Sequence, residues 1–370
     1  MDFTPIKEFM QHMLELKIPG NAISIWKDGK EVFSHAAGYA DRENQIPMTC
    51  DRLINIYSCT KVATVTAALQ LFEQEKFNLD DPVSAFLPEW GELTVRTANG
   101  IEKAQKTMTL RHLFTMTSGL NYNVDIASFK GEKTDTRTVV RELAKEPLDF
   151  EPGEKWQYGL SHDVLACVVE VITGQRFSDY VQEHIFAPCG MENSHFCNEN
   201  LPMAKQYRMV TPNLGDLVDA QAYGNEILHP DTYVELTDGS NWLVPGSDYD
   251  SGGAGIVTSV SQYSRFCNAL LQGQLLKQET MDLLRQNHLS DTQAKTYNWP
   301  QFAGYSYGLG VRTRLDVHPG EFGWGGAAGA TVLIDPEEHL AMFYAHHMLN
   351  PQASYYQPRL RDALYESLKG

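Results

Sequence analysis

Residues 21–37 read NAISIWKDGKEVFSHAA, and residues 330–346 read ATVLIDPEEHLAMFYAH. The first stretch is an extended run from Asn21 to Lys27, the pair Asp28-Gly29, and a second extended run from Lys30 to Ala37. Asp-Gly between two such runs is the most dependable two-residue hairpin signal. The second stretch holds two apolar strands, Ala330 to Ile334 and Leu340 to His346, joined by an Asp335-Pro336-Glu337-Glu338 turn. Helical patterns lie outside both. Phe3, Ile6, Phe9, Met10, Met13, Leu14 and Leu16 share a helical spacing that Pro19-Gly20 ends, and a second such pattern runs from Arg359 to Leu368. Strands from both termini with helices outside them predict one antiparallel sheet assembled from the two ends of the chain.

The middle has a different texture. Lys61 to Glu75, Leu110 to Met116, Thr138 to Lys145, His162 to Thr173 and Phe177 to Phe186 read as helices separated by Pro- or Gly-bearing loops. The expected fold is therefore α/β (α+β), with a body from residues 1–75 and 250–370 and an inserted, mainly helical lobe at 76–249. The stretch from Asn200 to Asp250 is weakly periodic, with scattered Gly, Asn and Asp, and reads as long loops bordering a substrate cleft.

A chain of 370 residues with 42% apolar composition can bury a large core without staples. Its formal net charge of −17 repels phosphate backbones and anionic headgroups, so neither nucleic acid nor a membrane surface is an expected partner. No window approaches the roughly 18 apolar residues of a membrane span, and Met1-Asp2-Phe3-Thr4-Pro5 does not open a signal peptide. A cytoplasmic location is the expectation. Cys50, Cys59, Cys167, Cys189, Cys197 and Cys267 form no C-x-x-C pair and read as reduced thiols, mostly buried. The adjacent His346-His347 falls in a strand pattern that sends neighbouring side chains to opposite faces, a poor chelate. No metal and no cofactor is expected.

Chemistry concentrates at Ser58-Cys59-Thr60-Lys61, an S-x-x-K tetrad followed by the apolar, small-residue stretch Val62 to Leu69. On a helix these two side chains share a face. Burial and the positive end of the helix both favour a neutral amine, which can take the serine proton. Taken alone the tetrad is more often a helix start with a solvated lysine, and Tyr158 alone would read as a core aromatic ahead of the helix at His162. Other segments lie in a definite order around them: Asn55 to Lys61, Leu79-Asp80-Asp81-Pro82-Val83, Leu110 to Leu120, Phe150-Glu151-Pro152-Gly153, Trp156 to Ser161, Gly252-Gly253-Ala254-Gly255 and Gly323 to Ala327.

In the number, order and spacing of these segments the chain resembles the serine β-lactamase and penicillin-binding-protein superfamily, above all its class C-like branch and the family VIII carboxylesterases. The resemblance implies that Ser58 is the acylated nucleophile, Lys61 its base, and Tyr158 the tyrosine that relays protons to the leaving group. It implies an oxyanion hole from the backbone N–H groups of Ser58 and Ala327. Two departures matter. Trp324-Gly325-Gly326 stands where lactamases carry Lys-Thr-Gly, and Tyr158-Gly159-Leu160 where they carry Tyr-x-Asn. Leu160, Trp324, Gly325 and Gly326 are thus the expected pocket residues, with apolar groups in place of two polar anchors.

The expected activity is that of a serine hydrolase acting on a small ester or amide, foremost a carboxylesterase for short acyl esters. A β-lactamase, a D-amino-acid peptidase, an acyltransferase and a non-turning-over penicillin-binding sensor are the alternatives. Asp250-Ser251-Gly252-Gly253 looks like the serine motif of trypsin-like proteases, but no matching histidine segment precedes it, and a Gly-rich turn before the helix at Val260 is the simpler account. The G-x-S-x-G elbow of α/β-hydrolases is absent.

Overall fold

The computed structural model describes residues 1–126, 134–196, 201–210, 232–244 and 248–369. Helix α1 (Thr4–Glu15) leads into strands β1 (Gly20–Lys27), β2 (Lys30–Asp41), β3 (Ile46–Pro47) and β4 (Ile54–Asn55). A 3₁₀ turn at Tyr57–Cys59 opens α2 (Thr60–Glu73), and β5 (Thr94–Thr97), β6 (Gly100–Lys103), α3 (Leu110–Phe114), α4 (Thr136–Leu143), α5 (Ser161–Thr173) and α6 (Phe177–Val181) follow. Then come β7 (Tyr207–Val210), β8 (Tyr233–Leu236), β9 (Val257–Thr258), α7 (Val260–Leu271), α8 (Gln278–Arg285) and α9 (Asp291–Ala294). The chain closes with β10 (Tyr305–Tyr307), β11 (Arg312–Arg314), β12 (Phe322–Gly323), β13 (Thr331–Asp335), β14 (Leu340–Ala345), β15 (Met348–Leu349) and α10 (Ala353–Lys369).

Among the described residues the main sheet has the order β10-β11-β12-β13-β14-β1-β2-β3, antiparallel throughout. The first and last segments of the chain meet at β1 and β14, where Ala22 pairs Ala345 and Lys27 pairs Leu340. The β1–β2 turn uses φ of 52° at Asp28 and 76° at Gly29, the two positive values such a turn demands. Both central strands are buried on both faces, and alternate residues enter different cores. Ile23, Ile25, Met342 and Tyr344 pack under Ile6, Phe9, Met10 and Met13 of α1 and Leu360 and Leu364 of α10. Ala22, Ala341 and Phe343 face Tyr263, Phe266 and Leu270 of α7 and the larger helical cluster beyond.

Three expectations are corrected. Residues read as loops between 200 and 250 include β7 and β8, which form a small sheet with β15; strands of four residues are too short to show a period. Residues 211–231 and 245–247 of that stretch, and Cys197, lie outside the described residues. Strand β14 stops at Ala345, and His347 turns into φ 43°, so His346 and His347 sit beyond the strand. Helix α10 begins ahead of Arg359 because it runs through Pro358, giving up one i→i−4 bond.

Candidate active site

Helix α2 has no exposed face through most of its length: every residue from Thr60 to Leu69 is buried. It runs beside α5, whose residues Ser161 to Val169 are equally buried. Such all-round burial marks a helix enclosed by protein rather than one lying on a surface. The turn that starts α2 is set by Tyr57, which takes φ 46°. For a residue with a Cβ this conformation costs on the order of 1–2 kcal/mol. It is held by the buried phenol, which donates to Gln206 Oε1 at 2.7 Å, and by the ring of Trp242 5.4 Å away. Ser58 follows directly, among the first N–H groups of the turn, which lack intrahelical acceptors.

Lys61 Nζ lies 3.1 Å from Ser58 Oγ, 2.9 Å from Tyr122 Oη and 2.7 Å from the Gly253 carbonyl. Ser58 keeps 7% of its surface and Lys61 keeps none, so solvent reaches Ser58 and not Lys61. The Gly253 carbonyl can only accept, which commits one N–H of Lys61. The other two partners are hydroxyls whose bonds can reverse when the amine is neutral.

The loop carrying Gly253 is fastened to α2 by Thr64 Oγ1, which donates to the Gly252 carbonyl at 2.7 Å, and by the Ile256 N–H, which donates to Thr60 Oγ1 at 3.1 Å. Pairing of β4 with β9 brackets it on either side. Its glycines are there for close approach. A Cβ at Gly252 would stand 2.3 Å from the His162 carbonyl oxygen, and one at Gly253 2.5 Å from Asp163 Oδ2.

Tyr158 borders the same space, with Lys61 Nζ 4.8 Å above its ring centroid. Its hydroxyl makes no hydrogen bond to Lys61; it accepts from the Trp324 indole N–H at 3.0 Å. A phenol oxygen that accepts keeps its own proton to give. Trp324 thus has a polar task beside its apolar one. Trp299, Phe302 and Tyr122 complete an aromatic wall, with Trp299 and Tyr122 against Tyr158 and Phe302 against Trp324 and Trp299.

The other expected residues fall as follows. The Gly325–Gly326 segment leaves the end of β12 and runs against the start of α2, where a Cβ at Gly326 would meet the Ile56 carbonyl at 2.3 Å. Ala327 packs against the small cluster of Tyr57, Ala254, Ala328 and Leu349. Leu160 is 1% exposed and sits in the core ahead of α5. Cys59 is fully buried, and burial pushes its thiol far above the ordinary range, which disqualifies it as a nucleophile. Ser251 is also buried, and its Oγ donates to Asp163 Oδ1 at 2.7 Å.

Three neighbours of Lys61 escape the sequence reading: Tyr122, the Gly253 carbonyl and Asp163. Burial pushes the Tyr122 phenol well above its usual range, with Tyr158 and Asp163 adding to the effect. Asp163 stands directly ahead of the apolar run Val164 to Val169, but nothing local ties it, Tyr122 or Gly253 to Lys61.

The chain is similar to several known proteins. The Beta-lactamase family model matches residues 6–365. "Esterase EstB" of Burkholderia gladioli is 29% identical over 357 residues, covering 88% of this chain and 85% of that protein. "Acyltransferase calJ" of Penicillium decumbens is 26% identical, covering 86% and 81%. The solved structure of "EstCE1, a hydrolase with promiscuous acyltransferase activity" superposes with a TM-score of 0.78 at 24% identity, covering 98% of this chain and 97% of that one.

Proposed function

The chain belongs to the Beta-lactamase family and is a serine hydrolase, and from that premise we propose that it is a carboxylesterase that acylates Ser58. The observation that carries the assignment is the enclosed Lys61 amine 3.1 Å from Ser58 Oγ. In this reading Lys61 takes the Ser58 proton as Oγ attacks the ester carbonyl. The N–H groups of Ser58 and Ala327 receive the developing oxyanion, each contributing on the order of 3 kcal/mol. Tyr158 gives its proton to the departing alkoxide, and water then releases the acid. In this reading the body, residues 1–75 with 250–370, supplies Ser58 and Lys61, and the inserted lobe at 76–249 supplies Tyr122 and Tyr158.

The preference for esters rests on the wall around Tyr158. Trp299, 37% exposed, offers apolar surface against Tyr158, while Trp324 is 2% exposed and its N–H is already spent on Tyr158. An uncharged acyl ester needs little beyond the oxyanion hole and apolar contact, whereas a penicillin must bury a carboxylate without a partner. Leu160, 1% exposed, lies in the core and presents no surface to a substrate. A panel of p-nitrophenyl butyrate, a penicillin and a cephalosporin tests this. The ester's kcat/KM should exceed the lactams' by at least about 10³, roughly 4 kcal/mol of transition-state binding. Comparable rates on ester and cephalosporin would contradict it.

A further inference from the structure

Ester hydrolysis at Ser58 leaves the hydroxyl of Ser251, in Asp250-Ser251-Gly252-Gly253, without a direct task. Ser251 is 1% exposed and cannot meet a substrate. It stands instead in a chain of hydrogen bonds that begins at Lys61. Lys61 Nζ donates to the Gly253 carbonyl at 2.7 Å, and the N–H of that same peptide group, on Ala254, donates to Ser251 Oγ at 3.0 Å. Ser251 Oγ then donates to Asp163 Oδ1 at 2.7 Å. All three bonds point from amine to carboxylate, so each polarises the next.

Asp163 is 2% exposed, and its Oδ1 also accepts from Tyr249 Oη at 2.8 Å and the Gly253 N–H at 3.3 Å. Its Oδ2 has no hydrogen-bond partner among the described residues. That oxygen faces Gly253, where an added methyl would lie 2.5 Å from Oδ2 and 3.4 Å from Lys61 Nζ. A buried carboxylate and a buried amine therefore both border the place a Cβ would take at Gly253, without a direct ion pair among the described residues. Burying either charge alone is costly, and an opposite charge at this range offsets that cost.

We propose that Asp163 is a positioning residue for Lys61: through Ser251 and the Gly253–Ala254 peptide its charge holds a proton on the resting amine and sets the pH at which Ser58 becomes nucleophilic. The proposal rests on the Ser58 hydrolysis described above. Other groups facing the pair are Cys59 on the turn before α2, His162 on α5, and Tyr122, Tyr158, Tyr249 and Tyr307. Burial, then the Lys61 charge, pushes His162 down to about 3, so it is neutral in the working range. Burial pushes Cys59, Tyr122, Tyr249 and Tyr307 upward, so none of them is an anion there.

The test is the pH dependence of kcat/KM for p-nitrophenyl butyrate. Asp163→Asn keeps an oxygen acceptor and removes the charge; the midpoint of the ascending limb should fall by about 1 pH unit. Ser251→Ala should move it the same way by less, and Ser251→Thr should restore it. Where turnover is too slow to follow, the rate of fluorophosphonate labelling of Ser58 against pH reads the same midpoint. A midpoint that stays put or rises in both Asp163→Asn and Ser251→Ala overturns the proposal whatever happens to the rate, because structural damage lowers activity without moving a titration. Turnover retained by Ser58→Ala would instead overturn the underlying hydrolysis.

Discussion

Trp324→Phe isolates a single hydrogen bond. The substitution keeps an aromatic wall and removes the indole N–H that reaches Tyr158 Oη at 3.0 Å. If Tyr158 carries charge as it hands over its proton, that N–H is a charge-assisted donor worth about 1.5–3 kcal/mol. The corresponding loss in kcat/KM is about 10- to 150-fold. KM should change little, since the bond is made to the enzyme and not to the ester. A second, separable effect comes from volume. Trp324 is 2% exposed, with Phe302 and Tyr307 rings each 5.2 Å away, so the smaller ring leaves a void costing about 1–3 kcal/mol of stability. The assay is kcat/KM for p-nitrophenyl butyrate beside a thermal melt, in the wild-type and Tyr158→Phe backgrounds. Acting through Tyr158, the indole should lose its effect on rate once the hydroxyl is gone, while the fall in melting temperature persists. A kcat/KM within about 2-fold of wild type, below the smallest loss that this bond strength allows, would refute the reasoning. An equal loss in both backgrounds would do the same.

Tyr122→Phe deletes one of three partners of Lys61 Nζ and should cost about 10- to 150-fold in kcat/KM, less than the 10²- to 10⁴-fold expected of Tyr158→Phe if Tyr158 is the proton carrier. Steady-state kinetics of the two variants check this, and the reverse order would give that role to Tyr122. Acid should destabilise the fold. Burial holds His162 and His346 near about 3 and His112 and His347 near about 4, against an ordinary 6.5. The unfolded chain therefore binds protons below 6.5 that the native state refuses, and stability is lost as pH falls toward 4, by up to about 1.4 kcal/mol per unit per histidine. Glu170, which burial raises to about 7, works the other way, because the native state takes its proton first. Melting temperatures from pH 7 to 4.5 should decline steadily, and a flat series would contradict the histidine assignment.

Much of this was legible in the sequence because the signals were local. Asp28-Gly29 forces its turn by chirality, and the apolar runs at 330–334 and 340–345 can only be satisfied inside a sheet. The S-x-x-K spacing puts Ser58 and Lys61 within hydrogen-bond reach by helix geometry alone. What surrounds Lys61 was not legible, because Tyr122, Gly253 and Asp163 come from three distant segments that only tertiary packing brings together. Trp324 was half legible. Its place near the start of α2 is what the family resemblance implies, but the partner of its N–H depends on a ring orientation that no spacing encodes. Leu160 shows the limit of reading by position, since the residue that replaces a polar anchor lies in the core with 1% of its surface exposed.

The central claim is that catalysis runs through an acyl group on Ser58. Intact-mass measurement after rapid mixing with a p-nitrophenyl ester, followed by peptide mapping, tests it most directly. The wild type should gain the acyl mass transiently, on the peptide that contains Ser58, and Ser58→Ala should gain none while keeping its melting temperature, since alanine is a good helix residue and the lost hydroxyl caps no backbone N–H among the described residues. An adduct mapped to Ser251 or Cys59, or ester turnover undiminished in Ser58→Ala, would contradict the account.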